Sequence, residues 1–126
     1  RRQRQMCIRD SYNRGIANEE LGNYKEAIDD YKKSMTMDGK MYKANTHYNI
    51  GYSYIQLEDF DNALIHLNKA IEIKPKEGMF YAYKGDALYE LGKENEACSN
   101  YIKSSELGYE EIKSYLNSSD GDWCKK

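Results

Sequence analysis

The sequence predicts an all-α protein made of stacked antiparallel helical hairpins, and three observations carry that prediction. The stretches "YNRGIANEELGNYKEAIDDYKKS", "YNIGYSYIQLEDFDNALIHLNKA" and "AYKGDALYELGKENEACSNYIKS" superimpose without gaps. Gly15, Gly51 and Gly85 lie 36 and 34 residues apart, and the same intervals separate Ala27, Ala63 and Ala97 and also Leu21, Leu57 and Leu91. Within a stretch the apolar residues fall into two segments of helical spacing, Ile50, Tyr54 and Leu57 and then Leu64, Leu67 and Ile71. A fixed period held by several independent residues marks a repeat architecture, each unit being one hairpin.

Taken in order, the pattern predicts helices near 9–21, 25–37, 45–57, 61–73, 79–91 and 95–107, with a shorter seventh around 109–117. The turns carry "GN", "ED" and "GK", in which Gly22 and Gly92 suit the left-handed residue that ends a helix. Pro75, the only proline, follows the second helix of unit two, where it breaks nothing. Glycine inside a helix costs about 1 kcal/mol relative to alanine, so three at one repeat position require close packing in return. Gly51 is expected to face Ala63, and Ala70, Ser34 and Ser104 to serve as a second small position. Tyr54, in line with Leu88, and Phe60, in line with Tyr24, are expected in the core.

Composition bounds the function. At 126 residues the chain suits one domain over 1–126, and such a chain buries roughly two thirds of its unfolded surface. With 40% hydrophobic and 32% charged residues it reads as a globular protein, and no apolar run approaches the roughly 20 residues of a membrane span. A net charge of −2 gives no long-range field for nucleic-acid phosphates. Arg1, Arg2, Arg4 and Arg9 form a basic end, a solvated face or a contact for an acidic surface. Because the chain opens on Arg1 it reads as a processed or trimmed piece, in which a removed signal or anchor leaves no trace, so the compartment stays open.

Residues for chemistry are sparse. Cys7, Cys98 and Cys124 have no CxxC spacing. His47 and His66 lack acidic or thiol partners at ligand spacing, so no zinc site is expected; His47 is read as packing and His66 as solvated. The acid pairs Asp29–Asp30, Glu19–Glu20 and Glu110–Glu111 look like solvent-facing helix charge. No nucleophile elbow, phosphate loop or HExxH is present. Neither an enzyme nor a cofactor is expected.

These positions resemble the tetratricopeptide repeat, with large–Leu–Gly–Tyr in the first helix and Ala–aromatic–Ala–Pro through the second. Unit two shows "IGYSY", Ala63, Leu67, Ala70 and Pro75. The resemblance divides the chain into repeats at about 8–41, 44–77 and 78–111, with a capping helix and tail over 109–126. It implies a right-handed superhelical array of hairpins whose first helices line a concave groove. The implied function is a non-catalytic protein–protein interaction scaffold that holds a peptide or helix of a partner. The alternative is a structural module that self-associates or docks onto another domain of a longer chain; concentration-dependent sedimentation separates the two. Unit one departs from the pattern with Arg14 and Asn18 at apolar places and Gly39 in place of proline. The ending "ELGYEEIKSYL" resembles a cap that buries Ile112, Tyr115 or Leu116 and leaves Glu110, Glu111 and Lys113 in water.

By the same resemblance the groove is lined by Tyr12 and Asn13 in unit one, Tyr48, Asn49 and Tyr52 in unit two, and Tyr83, Asp86 and Tyr89 in unit three. Tyrosine gives contact area plus a hydroxyl, and asparagine can bond a peptide backbone through donor and acceptor. Glu19, Glu20, Asp86 and Glu90 outnumber Arg9 there, which favours a neutral or mildly basic protein or peptide. Repeats that capture chaperone carboxylate tails use a clamp of lysines, asparagines and an arginine. Here Tyr12, Ile16, Asn49, Met79 and Tyr83 stand at those places, so such tails are expected to be unlikely ligands. Cys98 occupies the inward place of Ile28 and Leu64 and reads as a small buried hydrophobe. Alternatively, it bonds to Cys124 and staples the cap, if the protein is exported.

Overall fold

The computed structural model describes residues 2–36 and 43–125, with side chains over 9–35 and 43–124. The expectations placed on Arg1, Gly39 and the side chains of Arg2, Arg4 and Cys7 lie outside the described residues. Among the described residues seven α-helices follow in order: α1 (Arg2–Glu20), α2 (Tyr24–Thr36), α3 (Lys43–Gln56), α4 (Phe60–Ile73), α5 (Gly78–Glu90), α6 (Glu94–Glu106) and α7 (Glu110–Asn117). A 3-10 segment, Ser119–Lys125, closes the described chain. Helix ends match the spacing closely, except that α1 begins at Arg2 rather than near residue 9. The run "RQRQMCI" explains this, because it holds no glycine or proline and its Arg, Gln and Met are good helix formers.

The helices pair as α1 with α2, α3 with α4 and α5 with α6, and each hairpin also packs on the next. Gly22 and Gly92 turn the first and third hairpins at φ +81°, and Glu58 takes the same left-handed place in the second at +62°. Asp59 then caps α4, its carboxylate accepting from the Asn62 backbone N–H at 3.4 Å and from the Asn62 amide at 2.7 Å.

The three repeated glycines answer a single steric demand. A Cβ on Gly15 would stand 2.7 Å from the Tyr31 ring, one on Gly51 2.8 Å from Leu67 Cγ, and one on Gly85 2.8 Å from the Tyr101 ring. Tyr31, Leu67 and Tyr101 share one repeat position, and this large residue, more than Ala63, is what the glycine admits. Ala63 contributes its backbone oxygen, 3.3 Å from a Cβ at Gly51. The expected small positions Ser34, Ala70 and Ser104 are all buried.

The core runs as a string of clusters along the hairpin seams. Ala27, Ile28, Tyr31 and Ile50 hold the first junction, Ala63, Leu67 and Ala87 the second, and Leu88, Ala97 and Tyr101 the third. Ile112 and Leu116 pack half-buried on that last cluster, while Glu110, Glu111 and Lys113 are exposed. Tyr54 and Phe60 are half-buried rather than enclosed. The Tyr54 hydroxyl reaches the edge of the seam and accepts from Lys32 at 3.0 Å. Leu57 stays 37% exposed because α3 ends one residue before it.

Hairpin one substitutes polar bonds for apolar packing at Arg14 and Asn18. Asp30 accepts from Arg14 Nε at 3.3 Å and from Asn18 Nδ2 at 2.8 Å. The same geometry corrects the reading of His66 as solvated. Asp30 and His66 share a repeat position that faces the first helix of the hairpin, so His66 stacks on Tyr54 and on His47, ring centroids 5.8 and 5.3 Å away. The two Nδ1 atoms are 3.1 Å apart.

Burial, with His47, Lys69 and Lys32 nearby, pushes His66 down to about 4 from its ordinary 6.5. The folded state therefore holds the neutral ring while the unfolded chain takes up a proton below pH 6.5. The stability tied to this ring is complete above pH 6.5 and is lost as pH falls from there towards 4. Urea titrations of the parent and His66→Gln across that window are expected to show the difference between them shrinking on acidification. A constant difference would mean that the proton plays no part.

Candidate peptide-binding groove

Helices α1, α3 and α5 supply the candidate groove residues, because a helix returns a side chain to one face every three or four positions. At the first junction Tyr12 lies half-buried against Tyr31, centroids 5.5 Å apart, and its hydroxyl accepts from Asn49 Nδ2 at 2.9 Å. Asn49 thus ties α3 to α1. Asn13 is exposed beside them.

At the second junction Tyr48, Tyr52 and Tyr83 form one cluster. Tyr48 stacks on Phe80 at 5.4 Å and meets Tyr83 edge-on at 5.3 Å, while Tyr52 meets Tyr83 at 5.6 Å. Tyr24 on α2 joins from the side, 6.5 Å from Tyr52; its repeat position, on a second helix, reads as core. Burial, and then Tyr83, push the Tyr48 hydroxyl well above the usual phenol range, so it stays protonated and able to donate.

At the third position Asp86 accepts a hydrogen bond from Tyr101, and burial raises its carboxyl above the usual range. Glu19 accepts from Tyr31 at 3.0 Å and is raised in the same way, again chiefly by burial. In both units the large residue that packs on the repeat glycine sends its hydroxyl through to a groove carboxylate. Tyr89 remains 42% exposed on one side and packs on Trp123 on the other, centroids 4.9 Å apart. Trp123 has no repeat position to reveal it, and only its being the sole tryptophan singles it out in the sequence.

Between units two and three lies a cleft of about 390 Å3 lined by Ile55, Gln56, Glu58, Phe60, Asp86, Tyr89, Glu90 and Tyr101. Its charged walls are carboxylates only. Cys98 and Cys124 come together at the far end, Cα atoms 5.1 Å apart and joined through their sulfurs. Among the described residues no cluster of three or more His, Cys, Asp or Glu is placed to hold a metal, and no helix is long and apolar enough to cross a membrane.

Stacked antiparallel hairpins whose first helices share one aromatic, amide-bearing face define a helical-repeat scaffold. The family model of the tetratricopeptide repeat matches residues 7–76, and the chain belongs to that family. Its fold is accordingly the superhelical array of helix hairpins.

Among curated relatives, photosystem I assembly protein Ycf3 of Prochlorococcus marinus is 29% identical over 112 residues. The match takes in 82% of this chain and 65% of that one. The chain thus spans less than two thirds of that relative. The first repeat domain of Spaghetti (RPAP3), solved bound to the HSP90 peptide SRMEEVD, superimposes with a TM-score of 0.75 at 26% identity, covering 90% of this chain and 95% of that one. The second such domain of human RPAP3, in complex with the HSP70 peptide SGPTIEEVD, gives 0.81 at 23% identity over 98% of both chains.

Proposed function

We propose that the chain is a non-catalytic scaffold that holds a peptide segment or helix of a partner protein in its concave groove, across repeats at about 8–41, 44–77 and 78–111. The observation that carries this is the Tyr48–Tyr52–Tyr83 cluster. It sets three amphipathic rings from two adjacent hairpins on one face, with Tyr52 and Tyr83 only partly covered. The solved RPAP3 repeats that hold peptides support the same use of the fold.

Those peptides end in EEVD, which stands against the expectation that chaperone tails are unlikely ligands. The reason is chemical: tyrosine hydroxyls and asparagine amides also donate to a carboxylate, so the absence of clamp cations does not exclude one. That expectation is withdrawn. The carboxylates Glu58, Asp86 and Glu90 around the cleft support a narrower reading, a ligand segment that is neutral or mildly basic there.

Pull-down with the parent and a Tyr52→Ala, Tyr83→Ala variant of unchanged helical circular dichroism tests the groove. Loss of a retained protein is expected, and identical recovery would remove the groove from the proposal. Titration with SRMEEVD and with a lysine-substituted counterpart tests the charge. Tighter binding of the acidic peptide would overturn the charge reading and leave the groove reading standing.

A further inference from the structure

We propose that the thiol state of Cys98 and Cys124 decides whether the C-terminal segment backs the wall at the end of the groove. The segment Ser119–Lys125 follows α7 and turns back to α6. Gly121 allows the turn: a Cβ there would stand 2.5 Å from the Tyr115 carbonyl oxygen and 2.8 Å from Leu116 Cα, backbone atoms that cannot swing away. The turn delivers Trp123 onto Tyr89 and Tyr101, centroids 4.9 and 5.9 Å away, with Nε1 donating to the Tyr115 hydroxyl at 2.8 Å. The next residue, Cys124, is buried and bonded to Cys98 on α6.

Tyr89 and Tyr101 both line the cleft between units two and three, so the indole forms the outer backing of a groove wall. The segment is seven residues of 3-10 helix, a form with poor hydrogen-bond geometry and little hold of its own. The covalent bond keeps Trp123 at high effective concentration beside Tyr89.

Reduction by an external dithiol removes that constraint. Its thiolate attacks one sulfur of the Cys98–Cys124 bond to give a mixed disulfide, and its second thiol then closes a ring and leaves. Two electrons and two protons pass to the chain, which ends with thiols at Cys98 and Cys124, while the dithiol ends as a cyclic disulfide. Trp123 then leaves Tyr89, and that part of the cleft wall loses its backing. That last step, a change in ligand affinity, rests on the groove being the binding surface; the release of Trp123 does not.

Because Trp123 is the only tryptophan, its emission reads the segment directly. The full chain is measured with and without dithiothreitol, with alkylation mass confirming that reduction adds two free thiols. Reduction is expected to shift the emission to the red and raise acrylamide quenching severalfold, with helical circular dichroism retained. A Cys98→Ser, Cys124→Ser variant is expected to show the same emission without reductant. Unchanged emission in the reduced chain, or in that variant, overturns the proposal. Loss of the helical signal also overturns it, because the bond would then hold the array rather than the segment.

Discussion

Phe80→Ala is expected to lower the stability of the array by about 3–5 kcal/mol, the range for truncating an enclosed aromatic ring. Phe80 is fully buried in α5, packed with Ala44 and Ala70 from the preceding hairpin. Those two side chains are too short to fill the gap, and Tyr48, Ile71 and Met79 pack on the cluster only half-buried. The ring also backs Tyr48, stacked on it at 5.4 Å. One substitution should therefore loosen both the seam and the groove. Phe80→Leu, which keeps most of the volume, is expected to cost less than about 1.5 kcal/mol. Urea unfolding measures both variants. A loss below about 1 kcal/mol for the alanine variant, well under the range for such a truncation, would show that the seam collapses around the gap, and Tyr48 would then be held by something else.

Gly51→Val is expected to cost about 3 kcal/mol, the upper part of the range for overpacking a core. The new Cβ alone would lie 2.8 Å from Leu67 Cγ and 3.3 Å from the Ala63 backbone oxygen. Leu67 is completely buried, and two methyl carbons follow the new Cβ. Either α3 and α4 separate or Leu67 leaves its rotamer. Thermal unfolding should show a fall of roughly 10 °C. A variant that melts with the parent would mean that the hairpin opens at no cost, and would undo the steric account of the repeated glycine.

That glycine also shows why so much of the fold could be read from the chain. The demand it answers is local, a contact across one short turn, and it recurs with the hairpin, so the period carries it into the sequence. Ser34, Ala70 and Ser104 recur at the same intervals and are buried in every unit. Contacts between units left weaker marks. Asn49 and Tyr12 both read as ligand-facing, yet the one donates to the other across 2.9 Å, a pairing that depends on how unit two rotates over unit one. His66 reads as solvated because its repeat position reads as outward, while Tyr54 and His47 cover it in space. The path of Ser119–Lys125 had no period to follow. Two particular side chains, Trp123 and Cys124, bring it to α5 and α6. The period places Tyr48, Tyr52 and Tyr83 on first helices, but it gave no sign that Tyr48 stacks on Phe80.

The order in which the helices touch has a further consequence. Each one meets chiefly its neighbours along the chain, and the strongest contacts join helices linked by a short turn. Few partners must find each other across a long intervening loop, so little entropy is spent before contacts form. Such a chain folds quickly for its size, from whichever hairpin forms first, by adding the next unit to an existing edge. A nascent array emerging from the ribosome would need no distant segment to complete its first seam.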